Sequence, residues 1–121
     1  MARDFKNIKA WQFADDLAIE VYSITKSFPK EELYGITSQL RRAVTSVPTN
    51  IAEGATREHR KEYFQFLNIA KGSIAEVEYL LHLANRLGYL QNSDYKRIDE
   101  LRTTTAKTLY GLMTSVRKEV E

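Results

Sequence analysis

The chain has no cysteine and only two prolines and five glycines among its 121 residues. Without cysteine there is no disulfide, thiolate zinc site, Fe–S cluster or cysteine nucleophile. So little proline and glycine argues against a many-turn β-sandwich and against a disordered chain. Charge of one sign is not in excess either. Eighteen Lys and Arg face 16 Asp and Glu, and residues 1–60 and 61–121 each carry nine basic and eight acidic side chains. Along the sequence there is no basic tail, acidic tail or charge-segregated half of the kind a strongly cationic nucleic-acid binder carries. No apolar run approaches the ~20 residues that cross a bilayer. The opening Met-Ala-Arg-Asp-Phe-Lys lacks the apolar core of a signal peptide. The expectation is one soluble, cytoplasmic domain over residues 1–121 with no membrane partner.

What is present is helical periodicity. Ala10, Ala14, Leu17, Val21, Ile24 and Phe28 recur at alternating spacings of four and three, widened by Trp11, Ala18, Tyr22 and Thr25, and predict an amphipathic helix over about 9–27. Pro29 breaks it. Ile36, Leu40, Val44, Val47, Ile51 and Ala55 predict a second helix over about 32–55. Pro48 lies inside that pattern and cannot donate to the carbonyl of Val44, yet the apolar period runs through it, so a kink is expected rather than a break. Gly54 and Thr56 read as its end and as the cap of the next helix. Tyr63, Leu67, Ala70, Ile74, Val77, Leu81 and Ala84 keep a seven-residue pattern for three heptads and predict a third helix over about 57–87, ended by Gly88. Ile98, Leu101, Thr105, Leu109, Leu112 and Val116 predict a fourth over about 93–119, with Asn92 or Ser93 as cap. The fold class expected is all-α: an up-down-up-down antiparallel four-helix bundle with helix 2 kinked near Pro48.

Catalytic and metal chemistry find little support. A di-iron bundle needs Glu-x-x-His on two helices. The two histidines, His59 and His82, are preceded three residues earlier by Thr56 and Tyr79. Glu78 and His82 share a face as an ordinary i, i+4 pair. No nucleophile elbow, phosphate loop or dinucleotide-binding glycine turn occurs. No catalytic residue, metal ligand, cofactor or small-molecule substrate is expected, and an enzyme is disfavoured.

The basic residues offer more. Between Leu33 and Lys71 there are six basic side chains, including Arg41, Arg42, Arg57, Arg60 and Lys61, against three acidic ones, Glu53, Glu58 and Glu62. This excess could bind phosphates, with Tyr63, Phe64 and Phe66 near enough in sequence to stack on bases. The plainer reading is that the three acids neutralise their neighbours and the aromatics fill the core. Asn50 and Glu53 flank the core residue Ile51, and a partly buried Glu53 would need a cation from helix 2 or from a neighbouring chain. Phe13, Ile19, Phe64, Phe66, Ile69, Leu83, Leu90 and Met113 exceed what one four-helix seam holds, which points to apolar surface for self-association.

The strings Phe28-Pro29, Gln39-Leu40-Arg41-Arg42-Ala43, Ser46-Val47-Pro48-Thr49-Asn50-Ile51-Ala52-Glu53-Gly54, Phe66-Leu67-Asn68-Ile69-Ala70-Lys71-Gly72-Ser73 with Glu76, and Leu87-Gly88-Tyr89 resemble the bundle proteins encoded in intervening sequences of bacterial 23S ribosomal RNA genes. Trp11 and Ala14 fit the family's early helix, and Val47 stands where isoleucine is usual. The likeness covers about residues 5–116. It marks Pro48, Asn50, Glu53 and Gly54 as structural motif residues. The resemblance implies an antiparallel four-helix bundle that assembles as a ring-like homopentamer. It also implies a more distant likeness to the accessory variability protein of diversity-generating retroelements, a basic pentamer that binds nucleic acid. The near-neutral charge of this chain departs from that basic relative. Two functions of different class follow: a non-enzymatic homo-oligomer associated with RNA or DNA, and a protein–protein adaptor that binds no nucleic acid.

Overall fold

A computed structural model describes residues 3–120, and the side chains of residues 3–118. Among them are four α-helices and no strand: α1 (Lys9–Thr25), α2 (Ile36–Ala55), α3 (Arg60–Arg86) and α4 (Asn92–Val120). Each helix packs on two others: α1 on α2 and α4, and α3 on α2 and α4. Neither α1 with α3 nor α2 with α4 is in contact, so these pairs are diagonal in a helical bundle.

Two layers of core follow from this packing. One contains Leu17 and Val21 from the C-terminal half of α1, Leu40 and Val44 from the N-terminal half of α2, Val77 and Leu81 from late α3, and Ile98 from early α4. The other joins Ala10 and Ala14 of early α1, Val47 and Ile51 of late α2, Tyr63, Leu67 and Ala70 of early α3, and Leu109 and Val116 of late α4. These are the positions picked out by the three-and-four spacing. Each Å² of apolar surface they withdraw from water contributes about 25 cal/mol to holding the helices together.

The helix ends differ from the sequence expectation in instructive ways. A short 3-10 turn, Lys30–Glu32, follows Pro29, and Gly35 is non-helical (φ −108°, ψ −119°), so α2 begins at Ile36 rather than near residue 32. Thr56 does not cap α3. Its hydroxyl donates to the carbonyl of Glu53 at 2.7 Å, closing α2. His59, extended at φ −96° and ψ 134°, precedes α3 instead, which starts at Arg60 rather than at 57. Gly54 lies inside α2, not in a left-handed cap. The glycine that takes positive φ, at +80°, is Gly88, and it ends α3 with the amide of Tyr89 returning to the carbonyl of Ala84 at 3.0 Å. Pro48 sits within α2, whose helical run passes through it without interruption.

Of the surplus apolar residues, Leu90 and Met113 are buried, Phe13, Phe64, Phe66 and Leu83 are half-buried, and Ile19 and Ile69 stay exposed. Broad helix faces absorb most of the excess, but not all of it.

Candidate functional site

The fold sorts charge that the linear sequence had balanced. The segments around the Tyr63 core layer, 3–14, 45–75 and 104–118, carry ten Lys and Arg against four Asp and Glu. The segments around the other layer, 15–44 and 76–103, carry eight against ten. Glu119 and Glu121 lie beyond the described side chains. One end of the bundle is therefore cationic, although neither half of the sequence is. The balance between the two halves of the sequence does not carry over to the two ends of the bundle, because each end is assembled from distant segments.

The five basic residues singled out from sequence do not form one cluster. Arg41 and Arg42 lie on the N-terminal half of α2. Arg57, Arg60 and Lys61 lie at the turn into α3, about 22 Å further along at ~1.5 Å per residue. Arg41 is turned inward: its Nε donates to the hydroxyl of Thr25 at 2.9 Å and its guanidinium lies 4.8 Å from the centre of the Tyr22 ring. Thr25 in turn donates to the carbonyl of Val21 at 2.8 Å. Arg41 thus fastens α2 to α1. Arg42 is exposed.

At the turn, the Arg57 guanidinium lies over the ring of Phe66, 4.5 Å from its centre, a cation–π contact. Its Nε is buried without a hydrogen-bond partner, and no carboxylate pairs with it among the described residues. Arg60 and Lys61, on the first turn of α3, are exposed. Arg3, which sequence reasoning did not single out, donates to the carbonyls of Ala55 (3.2 Å) and Arg57 (2.9 Å) and covers the Tyr63 ring at 4.5 Å. It satisfies the end of α2, where carbonyls point outward and a cation is favoured. Burial pushes the Tyr63 phenol above its ordinary range, against the opposing pull of Arg3 and Arg60.

Of the motif Pro48, Asn50, Glu53, Gly54, Gly54 packs directly on α3 and Asn50 supports the Ser46 hydroxyl that meets it. The amide of Asn50 donates to the carbonyl and hydroxyl of Ser46 (2.8 and 3.0 Å), and Ser73 of α3 donates to the same hydroxyl at 2.8 Å. Gly54 faces Phe66 and Tyr63 so closely that a Cβ would sit 2.8 and 2.9 Å from their atoms. Glu53 is exposed, so the buried, cation-paired glutamate envisaged from sequence is not present within the chain.

Glu78 pairs not with His82 but with Arg102 of α4 at 3.3 Å. The Arg102 Nε also donates to Asp99 at 2.7 Å, so a nearly buried guanidinium is fully matched across α3 and α4. Among the described residues no group of three His, Cys, Asp or Glu is placed to hold a metal. No helix is long and apolar enough to cross a membrane.

The profile of the 23S rRNA-intervening sequence proteins matches residues 6–111. The chain belongs to this family. The fold agrees with a crystal structure of a protein of unknown function from the S23 ribosomal protein family of Bacteroides thetaiotaomicron VPI-5482. The TM-score is 0.80 at 25% identity, over 86% of this chain and 97% of that one. No curated protein matches the chain. Membership accounts for the motif strings, which in this chain supply contacts of α2 with α1 and α3 and the turn that ends α3.

Proposed function

We propose that this family member is a non-enzymatic, cytoplasmic protein whose bundles assemble into a ring-like homopentamer that associates with RNA or DNA. The alternation of helix halves between the two core layers supports an up-down-up-down antiparallel bundle. Pro48, which leaves the Val44 carbonyl without its usual donor, supports a kink in α2.

The observation that carries self-assembly is the placement of exposed apolar side chains on diagonal helices. Ile19 (66% exposed) and Tyr22 (42%) share a face of α1, and Ile69 (53%) and Tyr79 (58%) lie on α3. Leu33, also exposed, lines one concavity with Thr25 and Arg41 and extends the α1 flank. An odd-numbered ring needs two different surfaces on each chain, one meeting the other on the next copy. Apolar patches on opposite corners of the bundle suit that geometry.

Nucleic-acid association rests on the cationic end, with Arg57 held on Phe66 and Arg60 and Lys61 beside it. A ring repeats that end around its axis, which enlarges the field felt by a phosphate backbone. Arg42 adds an exposed charge further along α2, while Arg41 contributes packing. The test is binding of mixed RNA and DNA fragments as salt is varied. A steep log–log loss of affinity is expected. Undetectable binding at low salt would leave the adaptor reading in its place.

A further inference from the structure

A second surface lies at the cationic end, on the flank of α3 that faces away from α2. Phe64, Asn68, Lys71 and Ala75 recur along α3, and Ala106, Tyr110, Met113 and Arg117 recur along α4, both at spacings of four and three. Each set therefore lies along one side of its helix. Between them runs a trough. Its outer section, about 130 Å³, is lined by Phe64, Asn68, Lys71, Tyr110, Thr114 and Arg117. Its inner section, about 330 Å³, shares Lys71 and Tyr110 and has an apolar floor that includes Ile74, Ala106 and Leu109. The small side chains of Ala75 and Ala106 leave this space open between two otherwise packed helices.

We infer that this trough between α3 and α4 is a binding channel for single-stranded nucleic acid, with Tyr110 stacking on a base, and Lys71 and Arg117, the latter seated over the Phe64 ring, holding phosphates. Tyr110 is 65% exposed and lines both sections of the trough. Arg117 lies 5.0 Å from the centre of the Phe64 ring, which presents a flat cation beside a ring face. Neither Lys71 nor Arg117 has a carboxylate partner among the described residues, and the outer section of the trough has no acidic lining. The one acid in the inner section, Glu78, pairs with Arg102, which Asp99 also engages. Cations without acids favour a polyanion over an acidic or apolar helix. The exposed Tyr110 side chain favours a single strand, because bases in a duplex keep their faces to one another. From Phe64 to Glu78 the channel extends about 21 Å at ~1.5 Å per residue, long enough for several nucleotides. This inference shares with the preceding reading only the class of partner. It names a different surface and a strandedness.

The test uses the full chain in its native assembly and fluorescence anisotropy with a labelled mixed-sequence 12-nucleotide RNA, offered single-stranded and as a duplex. The single strand is expected to bind more tightly. Tyr110→Ala should weaken it about ten-fold, the usual scale for loss of a stacking side chain. Lys71→Ala combined with Arg117→Ala should lower the log–log salt slope by about 1.4, two phosphates at ~0.7 each for a single strand. Lys96→Ala, at the other end of the bundle, should change nothing. All these side chains are exposed, so folding is preserved. If the wild type binds neither RNA, the nucleic-acid reading falls and the channel with it. If it binds but the trough variants bind equally well while Arg57→Ala weakens binding, the channel is overturned and the turn stands. A preference for duplex, or a changed assembly mass for Tyr110→Ala, would also overturn it, the latter by marking the trough as a seat for another copy.

Discussion

A Cβ added to Gly54 would stand 2.8 Å from the Cβ of Phe66. Phe66 Cβ is anchored to its backbone and cannot swing away, and the Tyr63 ring closes the other side at 2.9 Å. Alanine at position 54 gains about 1 kcal/mol of helix propensity but must push α2 and α3 apart. Gly54→Ala is expected to destabilise by about 1–3 kcal/mol, the scale of an overpacked core. Gly72 and Gly111 are helical and meet nothing within 4 Å, so Gly72→Ala and Gly111→Ala should each stabilise by about 0.5–1 kcal/mol. Urea unfolding of the three variants checks the contrast in sign.

Arg41 and Arg57 are expected to separate cleanly. Arg41→Ala removes the bond to Thr25 and the stack on Tyr22, and should cost about 1 kcal/mol of stability with little change in nucleic-acid affinity. Arg57→Ala should lower affinity and the salt slope instead. Thermal unfolding and a salt titration on the same two variants separate the roles.

Pro48→Ala returns a donor to the carbonyl of Val44 and removes the ring that crowds it. Higher chain stability is expected, up to about 3 kcal/mol; removal of the proposed kink should move the surfaces at both ends of α2 and alter the proposed assembly with them. An unchanged oligomer with raised stability would show that the proline does not shape the contact between copies.

Alkaline pH offers a further check. The Tyr89 hydroxyl donates to the Glu32 carboxylate at 2.8 Å, and this bond, aided by desolvation and the nearby acids, raises the phenol above its ordinary range. Tyr63 is raised chiefly by burial. In both cases the folded chain holds the proton more tightly than the unfolded one. The contribution is complete below the unfolded value of about 10 and is lost as pH rises through the higher folded value. Urea midpoints should fall above about pH 10, and less steeply for Tyr89→Phe.

The periodicity carried all four helices, because burial on one side of a helix imposes its spacing on the sequence. The ends of α2 and α3 were less legible. The 3-10 turn at Lys30–Glu32 and the extended His59 depend on how the segments between helices close over the core. The site was least legible. Arg41 and Arg42 are neighbours in sequence but differ in exposure, with Arg41 drawn onto Tyr22 by tertiary packing. Lys71, Tyr110 and Arg117 meet only because α3 and α4 lie side by side. In the sequence, Phe64 stood out as an aromatic near the basic stretch and Lys71 as the last cation of that stretch, but nothing tied them to Tyr110 and Arg117.

Mixing experiments probe both surfaces proposed for the ring. Ile19→Asp and Tyr79→Asp should each abolish the ring alone. Mixed in equal amounts they should form a one-to-one dimer, because each retains the surface the other lacks. Size-exclusion chromatography with light scattering reads this directly, and a mixture that stays monomeric would exclude a contact between unlike surfaces.

Native mass spectrometry of the unmodified chain reads the number of copies in the ring. A dominant species of five chain masses, each of 14.0 kDa, is expected at micromolar concentration. A monomer at that concentration, or a dominant species of four or six chains, would contradict the pentamer.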